Sequence, residues 1–478
     1  MELLKEISRE GAKGFRLPPL DIEEVDIKNF FPGKFLRDNP PPLPEVSEPE
    51  VVRHFVNLSS LNYHVDRGFY PLGSCTMKYN PRINEEMASI EEFTNLHPLQ
   101  PDDTVQGALE LIYNLQEYLG KLTGFKHVSL HPAAGAHGEL LGLLLIRAYH
   151  KKHGNHHKKK ILIPDSAHGT NPASCTRAGF VSVKVTSGEK GILTPDILEK
   201  YLDDEVAGLM LTNPNTLGLF ETYIVEMAEM LHEKDALLYM DGANLNALMG
   251  YFYPGKAGVD ILHYNLHKTF STPHGGGGPG GGGVGVSDRL EPFLPVPRIE
   301  RGENGFYLDY NRPDSIGKII SFYGHFNVMI KALTYILENG PDGLKKVTET
   351  AVINANYLMT QLKDTYNLPY DTTCMHEFVL SGNTFKKYGV RTLDIAKRIL
   401  DHNMHAPTIY FPLIVPEALM IEPTETEPRW VLDRFISIMK KIAKEAEEEP
   451  ELLKKAPQNT PVKRLDEAKA VRELDVHW

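Results

Sequence analysis

Between about residues 100 and 290, short apolar runs alternate with helical stretches, and each apolar run empties into a polar loop. "ILIPDS", "AGLMLTNP", "ALLYMDGAN", "GVDILHYN" and "GVGVSD" read as strands. "ELLGLLLIRAYH" and "VEMAEMLHEKD" carry apolar residues at helical spacing. "TPDILEKYL" begins a further helix, with Thr194 placed as N-cap and Pro195 at the first helical position. Strands buried on both faces read as nearly continuous apolar runs, and the alternation predicts a mostly parallel sheet with helices on both sides. In such a sheet, ligands gather at the carboxyl ends of the strands.

The rest of the chain has a different texture. Residues 1–60 are rich in proline and charge, as in "NFFPGKFLRDNPPPLPEVSEPEVVRHF". Such a segment forms no core alone; it is either an arm over a partner or a surface wrap. From 301 to 478 helices dominate, "GHFNVMIKALTYILENG" and "GLKKVTETAVINANYLMTQLK". Two short strand-like pieces follow, "HEFVLSG" and "APTIYFPLI", and then the helix "WVLDRFISIMKKIAKEAEEE". The expected organisation is an N-terminal arm (1–60), an α/β large domain (61–300) and a smaller α+β domain (301–478).

A net charge of -12 argues against a nucleic-acid surface. No apolar run is long enough to span a bilayer, and the N-terminus lacks the apolar core of a signal peptide. The three cysteines are far apart, which fits a reducing cytoplasm and no thiolate metal site. "KKHGNHHKKK" has no acidic or thiolate neighbours, so it reads as a solvated loop and no metal is expected.

Chemistry concentrates in four loops that follow candidate strands. "HPAAGAHGE" places Ala134, Gly135 and Ala136 in a small-residue turn before a helix, where free N–H groups and the helix dipole suit a phosphate dianion. "SAHG" places His168, a flat partner for a ring. Asp241 ends a strand and could hold a proton on a ring nitrogen. Lys268, in "NLHKTF", offers an amine after a strand. Turn, histidine, aspartate and lysine in this order match the needs of pyridoxal 5′-phosphate. After the lysine comes "STPHGGGGPGGGGVGV". A linker would not sit between two buried strands, and a dinucleotide loop would lead into a helix, so these glycines imply a sharp return with close backbone approach.

At these motifs the chain resembles the glycine dehydrogenase (decarboxylating), or P-protein, family of the glycine cleavage system. The resemblance rests on "NLHKTF", "PHGGGGPG", "SAHGTNPAS", "TNPNTLGLFE" and "MDGANLNA". It extends to "LNYHVDRGFYPLGSCTMKYNPR" and "HAPTIYFPLIVPEALMIEPTETEP", covering about residues 55–435. One departure is the extra glycine after the proline, at 280–283.

The resemblance implies a fold type I, aminotransferase-like enzyme, with Lys268 as the Schiff-base lysine. His168 would stack on the ring and Asp241 would pair with its nitrogen. Ala134, Gly135 and Ala136 would bind the phosphate, and Asn215 would face the 3′-oxygen, with Asn213 equally placed by sequence. Ala243 and His267 join the cofactor-binding set. The implied reaction removes the glycine carboxylate as carbon dioxide and passes the aminomethyl group to the lipoyl arm of H-protein. The length fits the lysine-bearing half of longer family members, which implies a second subunit and a heterotetramer with two copies of each. Another fold type I activity, an amino-acid decarboxylase or cysteine desulfurase, and a non-catalytic scaffold are the alternatives. Ser74 and Thr76 are either glycine-carboxylate ligands or part of a structural turn. His137, His168 and His267 are candidates for proton handling. Cys75 reads as a packed residue.

Overall fold

The computed structural model describes residues 2–39, 41–275 and 280–474. They divide into two compact units, residues 1–67 and 68–478.

In the second unit, seven strands form one sheet. They are β1 (His127–Ser129), β2 (Lys160–Pro164), β3 (Val181–Val185), β4 (Val206–Thr212), β5 (Leu237–Asp241), β6 (Ile261–Asn265) and β7 (Gly282–Val286). Their order is β1-β7-β6-β5-β4-β2-β3. From β3 across to β6 all pairings are parallel, and β7 runs antiparallel to both β6 and β1. Every residue of β4, β5, β6 and β7 is buried, which is why these strands are so apolar. β3 is the exception: it lies at the sheet edge with a mostly exposed pattern, and its sequence carries no apolar run to announce it.

Helices Gln106–Thr123, Gly135–Lys152 and Ile224–Glu233 cover the sheet with their buried residues. Thr194 occupies the expected N-cap position before Pro195, but its hydroxyl donates to Asp196 Oδ1, so it caps no backbone amide. The histidine-bearing run 151–160 is the expected connection between helix and β2.

A hairpin, β8 (Arg298–Gly302) and β9 (Gly305–Asp309), spans residue 300, where a domain boundary is expected. The long helical span Phe326–Leu362 is broken at Gly340, whose φ of 60 and ψ of -177 end one helix before Pro341 starts the next. A second, antiparallel sheet follows, with β10 (Phe378–Ser381), β11 (Thr408–Ile409) and β12 (Ala418–Ile421) in the order β10-β12-β11. Its core joins Leu358, Phe378 and Leu419 to Phe435 and Met439 of the helix Arg429–Glu448.

Two contacts tie this sheet to the segment Leu72–Gly73. Leu72 bridges to Ile421, and Thr408 Oγ1 donates to the Gly73 carbonyl at 2.9 Å. The loop after β4 also meets the segment that leads into β10, where the Gly218 carbonyl accepts from Met375 N at 2.7 Å. A Cβ on Gly218 would lie 1.8 Å from the Glu377 carbonyl, and its φ is +78. Gly218→Ala therefore meets both a backbone clash and a left-handed penalty. It is expected to cost about 3 kcal/mol or more, read as a loss of several degrees in melting temperature; an unchanged melting curve contradicts this packing.

Candidate active site

Four of the parallel-sheet loops bring their polar residues to one edge. Strand β5 ends in Asp241, which is almost wholly buried. A carboxylate there needs partners. His263 Nε2 on β6 lies 3.2 Å from Asp241 Oδ1, and the Ala243 amide donates to the same oxygen at 3.0 Å. The other imidazole nitrogen, His263 Nδ1, meets Tyr239 Oη at 2.7 Å, which fixes the ring. Burial pushes the Asp241 pKa up, but the charges of His263 and His168 and the amide bond outweigh it, and the net shift is downward.

Strand β6 runs into a single helical turn, Leu266–Thr269, which carries Lys268. Lys268 Nζ donates to the Ser74 carbonyl at 2.8 Å. The charge of Lys268 acts on both Asp241 and His168, so the three expected residues share one site. His168 is partly buried, with Nδ1 3.0 Å from Thr170 Oγ1 and its ring edge-on to Phe411 at 5.8 Å. Burial lowers its pKa, and burial takes His267 to about 3 and His274 to about 4, so these last two imidazoles are neutral near pH 7.

The small-residue turn forms the start of helix Gly135–Lys152, with Ala134 at its N-cap. No side chain caps this end, so its first amides are available to an anion. A Cβ on Gly135 would lie 2.4 Å from Asn265 Oδ1, an oxygen that is buried and has no partner. The glycines after the lysine have comparable reasons. A Cβ on Gly282 would lie 2.9 Å from the Ala134 carbonyl, and one on Gly283 2.3 Å from the Tyr264 ring. These glycines bring β7 against the turn and the strand that build the site. Residues 276–279, part of the expected sharp return, lie outside the described residues.

Asn215 does not fit its expected place. Its Nδ2 donates to the Gly191 carbonyl at 2.9 Å and to Glu221 Oε1 at 2.8 Å, and its Oδ1 accepts from the Leu217 and Leu219 amides. Its amide is spent on bracing the loop. Asn213 Nδ2 is buried without a partner and is the free donor of the two.

The loop Ser74–Thr76 is braced from the second sheet. Glu377 Oε2 accepts the Ser74 amide at 2.6 Å and Glu422 Oε2 the Thr76 amide at 2.9 Å. Ser74 and Thr76 have φ of 64 and 45, left-handed values that the two carboxylates hold in place. Sequence alone misses Glu377 and Glu422, as it misses Lys78, which lies in the same loop's continuation. The resemblance blocks contain Glu422 and Lys78, but nothing in their spacing shows that residues more than 300 positions apart meet.

The group to be held needs a site for a dianion, a carboxylate for a protonated ring nitrogen and an amine for an aldehyde. The bare helix start, Asp241 and Lys268 fit those three needs, and the unpartnered buried atoms Asn213 Nδ2 and Asn265 Oδ1 leave polar capacity for a ligand.

Comparison with known proteins gives the following. A family model described as "Glycine cleavage system P-protein" matches residues 24–299, and one described as "Glycine dehydrogenase, C-terminal domain" matches residues 347–464. The chain is 60% identical to the probable glycine dehydrogenase (decarboxylating) subunit 2 of Caldanaerobacter subterraneus subsp. tengcongensis, over 100% of this chain and 98% of the relative. It is also 60% identical to the protein of the same name from Aquifex aeolicus, over 99% and 98%. Among solved structures, an inhibitor-bound glycine decarboxylase (P-protein) of the glycine cleavage system superposes with a TM-score of 0.73 at 20% identity, over 87% of this chain and 94% of that one. That last likeness is one of fold.

The buried carboxyls yield a pH prediction. Burial, the largest influence, raises Glu422 from an ordinary 4.5 to about 7, against the opposing Thr76 bonds and Lys268 charge. The fold thus favours its neutral form. That stability is fully present below pH 4.5 and is lost as pH rises through about 7. Glu422→Gln, permanently neutral, is expected to melt above wild type at pH 8, with the gap closing towards pH 4.5. A gap that widens on acidification reverses the assigned sign.

Proposed function

The chain belongs to the glycine cleavage system P-protein family, and on that premise we propose that it is the lysine-bearing subunit of a pyridoxal-phosphate-dependent glycine dehydrogenase (decarboxylating), an oxidoreductase. The observation that carries the reading is the meeting of Lys268, Asp241 and the uncapped helix start at one sheet edge. The cofactor, when bound, supplies the electron sink that lets the glycine carboxylate leave as carbon dioxide.

The chain's own residues do the holding. The amides at Ala134, Gly135 and Ala136 bind the phosphate. Asp241, kept ionised by His263, holds the proton on the ring nitrogen. The Ala243 amide, the neutral His267 and His168 complete the pocket, with His168 against the ring face. We assign the 3′-oxygen to Asn213, because the Asn215 amide is engaged elsewhere. Lys268 provides the amine that joins the cofactor aldehyde.

A cysteine desulfurase would need a reactive thiolate. Burial raises the thiol pKa of Cys75, and takes Cys175 and Cys374 to about 12, which speaks against that alternative.

A two-chain enzyme requires a large surface for its partner. In residues 1–67, Ser47 and Glu50 cap the helix Glu48–Ser60, and Arg9 pairs with Glu50 at 2.6 Å. Around this small framework Phe15, Leu17, Leu20, Ile22, Phe30 and Phe35 are all more than half exposed. A run of exposed large apolar side chains supports an arm that lies on another chain. We assign that chain to subunit 1, in a heterotetramer of two copies of each subunit, with an interface above roughly 2,000 Å². Glycine and the lipoyl arm of H-protein are the substrates. No described helix is long and apolar enough to cross a membrane, and three free cysteines accord with the reducing cytoplasm, where we place the enzyme.

Two measurements test the proposal. Lys268→Ala is expected to abolish glycine decarboxylation and the visible absorbance of lysine-linked cofactor; retained turnover defeats the assignment. The subunit alone is expected to bind cofactor but to exchange carbon dioxide with glycine poorly in the presence of H-protein. Titration with subunit 1 should then restore the rate, and full activity without it removes the two-subunit reading.

A further inference from the structure

Lys78 is a second lysine near the site, and its burial is more complete than that of Lys268. Its side chain is about 1% exposed. An ammonium in that position must satisfy all its donors. Lys78 Nζ lies 2.9 Å from Asn246 Oδ1, 2.7 Å from the Thr269 carbonyl, 3.2 Å from Tyr335 Oη and 2.9 Å from Glu425 Oε1. Glu425 Oε2 accepts Asn246 Nδ2 at 3.2 Å, and Tyr335 Oη lies 3.3 Å from Glu425 Oε1, so the acceptors brace one another.

The Thr269 carbonyl is the informative partner. Thr269 closes the four-residue turn that carries Lys268, and so short a turn has no following helix to hold its end. The same stretch that contributes Lys78 also holds the turn elsewhere. The Ser74 carbonyl accepts Lys268 Nζ at 2.8 Å, the Tyr79 carbonyl accepts Ser271 Oγ at 2.5 Å, and Asn84 Nδ2 donates to the Ser271 carbonyl at 3.3 Å. One strap, residues 74–84, therefore holds both the head of Lys268 and the backbone that follows its root. Ser271 has a left-handed φ of 52, a conformation that needs such support.

We propose that Lys78, anchored by Glu425 of the loop after β12, is a positioning residue for Lys268: it fixes the backbone from which the Lys268 amine reaches the cofactor aldehyde. This rests on Lys268 as the attachment point. Misplacement of a reacting group by about 1 Å can cost on the order of 100-fold in rate. A displaced turn thus slows the joining step while leaving the phosphate cradle, which lies on another helix, intact.

The test uses full-length protein stripped of cofactor. Pyridoxamine 5′-phosphate, which carries no aldehyde, reports capture; pyridoxal 5′-phosphate reports attachment through its visible band and through borohydride trapping at Lys268. Lys78→Met is expected to bind pyridoxamine phosphate with near wild-type affinity and to attach pyridoxal phosphate at least about tenfold more slowly. Attachment at the wild-type rate overturns the inference. So does a parallel loss of both, which marks a collapsed site.

Glu425→Gln, close in shape, decides the matter if Lys78→Met does not fold. The titratable groups facing Lys78 are Glu425 and Tyr335, and the other two acceptors are neutral. Without the Glu425 charge, burial favours the uncharged amine. Attachment by Glu425→Gln is therefore expected to fall with rising pH over a range in which the wild-type profile is flatter, and matching profiles overturn the inference. Lys268→Ala separates the two layers. If it keeps the visible band, the attachment point itself is wrong; if it loses the band while Lys78→Met behaves as wild type, only the positioning role fails.

Discussion

A carboxylate buried at the end of a central strand cannot stand alone, and the partners that Asp241 requires shape its surroundings. His263 supplies the facing nitrogen from the next strand, and Tyr239 pins the far side of that ring from two residues before Asp241 on β5. The parallel register puts these groups side by side: Asp241 pairs with His263 across β5 and β6, and Thr212 with Asp241 across β4 and β5. Slipping either pairing by one residue would turn the carboxylate to the opposite face of the sheet. The site is thus held by the same register that buries the core.

The helix on that face must come close enough to present its amides, and small residues make this possible. Gly138 packs on His263, where a Cβ would sit 3.2 Å from the His263 Cβ, and Gly142 packs on the Tyr239 ring, where it would sit 2.2 Å away. β7 then closes over the turn through Gly282 and Gly283. Composition that looks like a flexible linker is, at the described positions, a set of close approaches between backbone and side chain. The entropy cost of glycine is offset by geometry that no side chain would allow.

This explains what the sequence discloses and what it withholds. β4, β5 and β6 are legible because a strand buried on both faces has to be apolar throughout. Asp241 and Lys268 are legible because each interrupts or follows such a run with a charge. β3 is not, since an edge strand carries charged and polar residues to solvent. Asn213 and Asn215 cannot be ranked from "NPNTLG", because both are buried and differ only in which amide the loop consumes. Glu377, Glu422 and Glu425 look like ordinary polar residues beside the short strands of the second sheet. Their meaning comes from chain crossings that bring them to Ser74, Thr76 and Lys78, separations of 303, 346 and 347 residues.

Those three glutamates differ in what they face. Glu425 meets an ammonium at 2.9 Å, so its charge is matched where it is buried. Glu377 and Glu422 have no such ammonium in contact; Glu377 accepts the Ser74 amide and the Asn244 side chain, Glu422 the Thr76 amide, and the two carboxyls repel, so burial raises both, Glu377 well above the ordinary value. His376, buried beside them with neither ring nitrogen bonded, is held neutral by burial, with its pKa lowered to about 3. Lys268 is the nearby cation that eases the ionisation of both carboxyls. The turn after β6 supplies the lysine and the segments flanking β10 and β12 supply the acidic wall behind it, so neither sheet builds this environment alone. Withdrawing the wall would remove the support of the Ser74 backbone, whose carbonyl accepts the Lys268 amine. It would also relax the left-handed strain at Ser74 and Thr76, which makes the carboxylate bonds to their amides the link between the second sheet and the lysine.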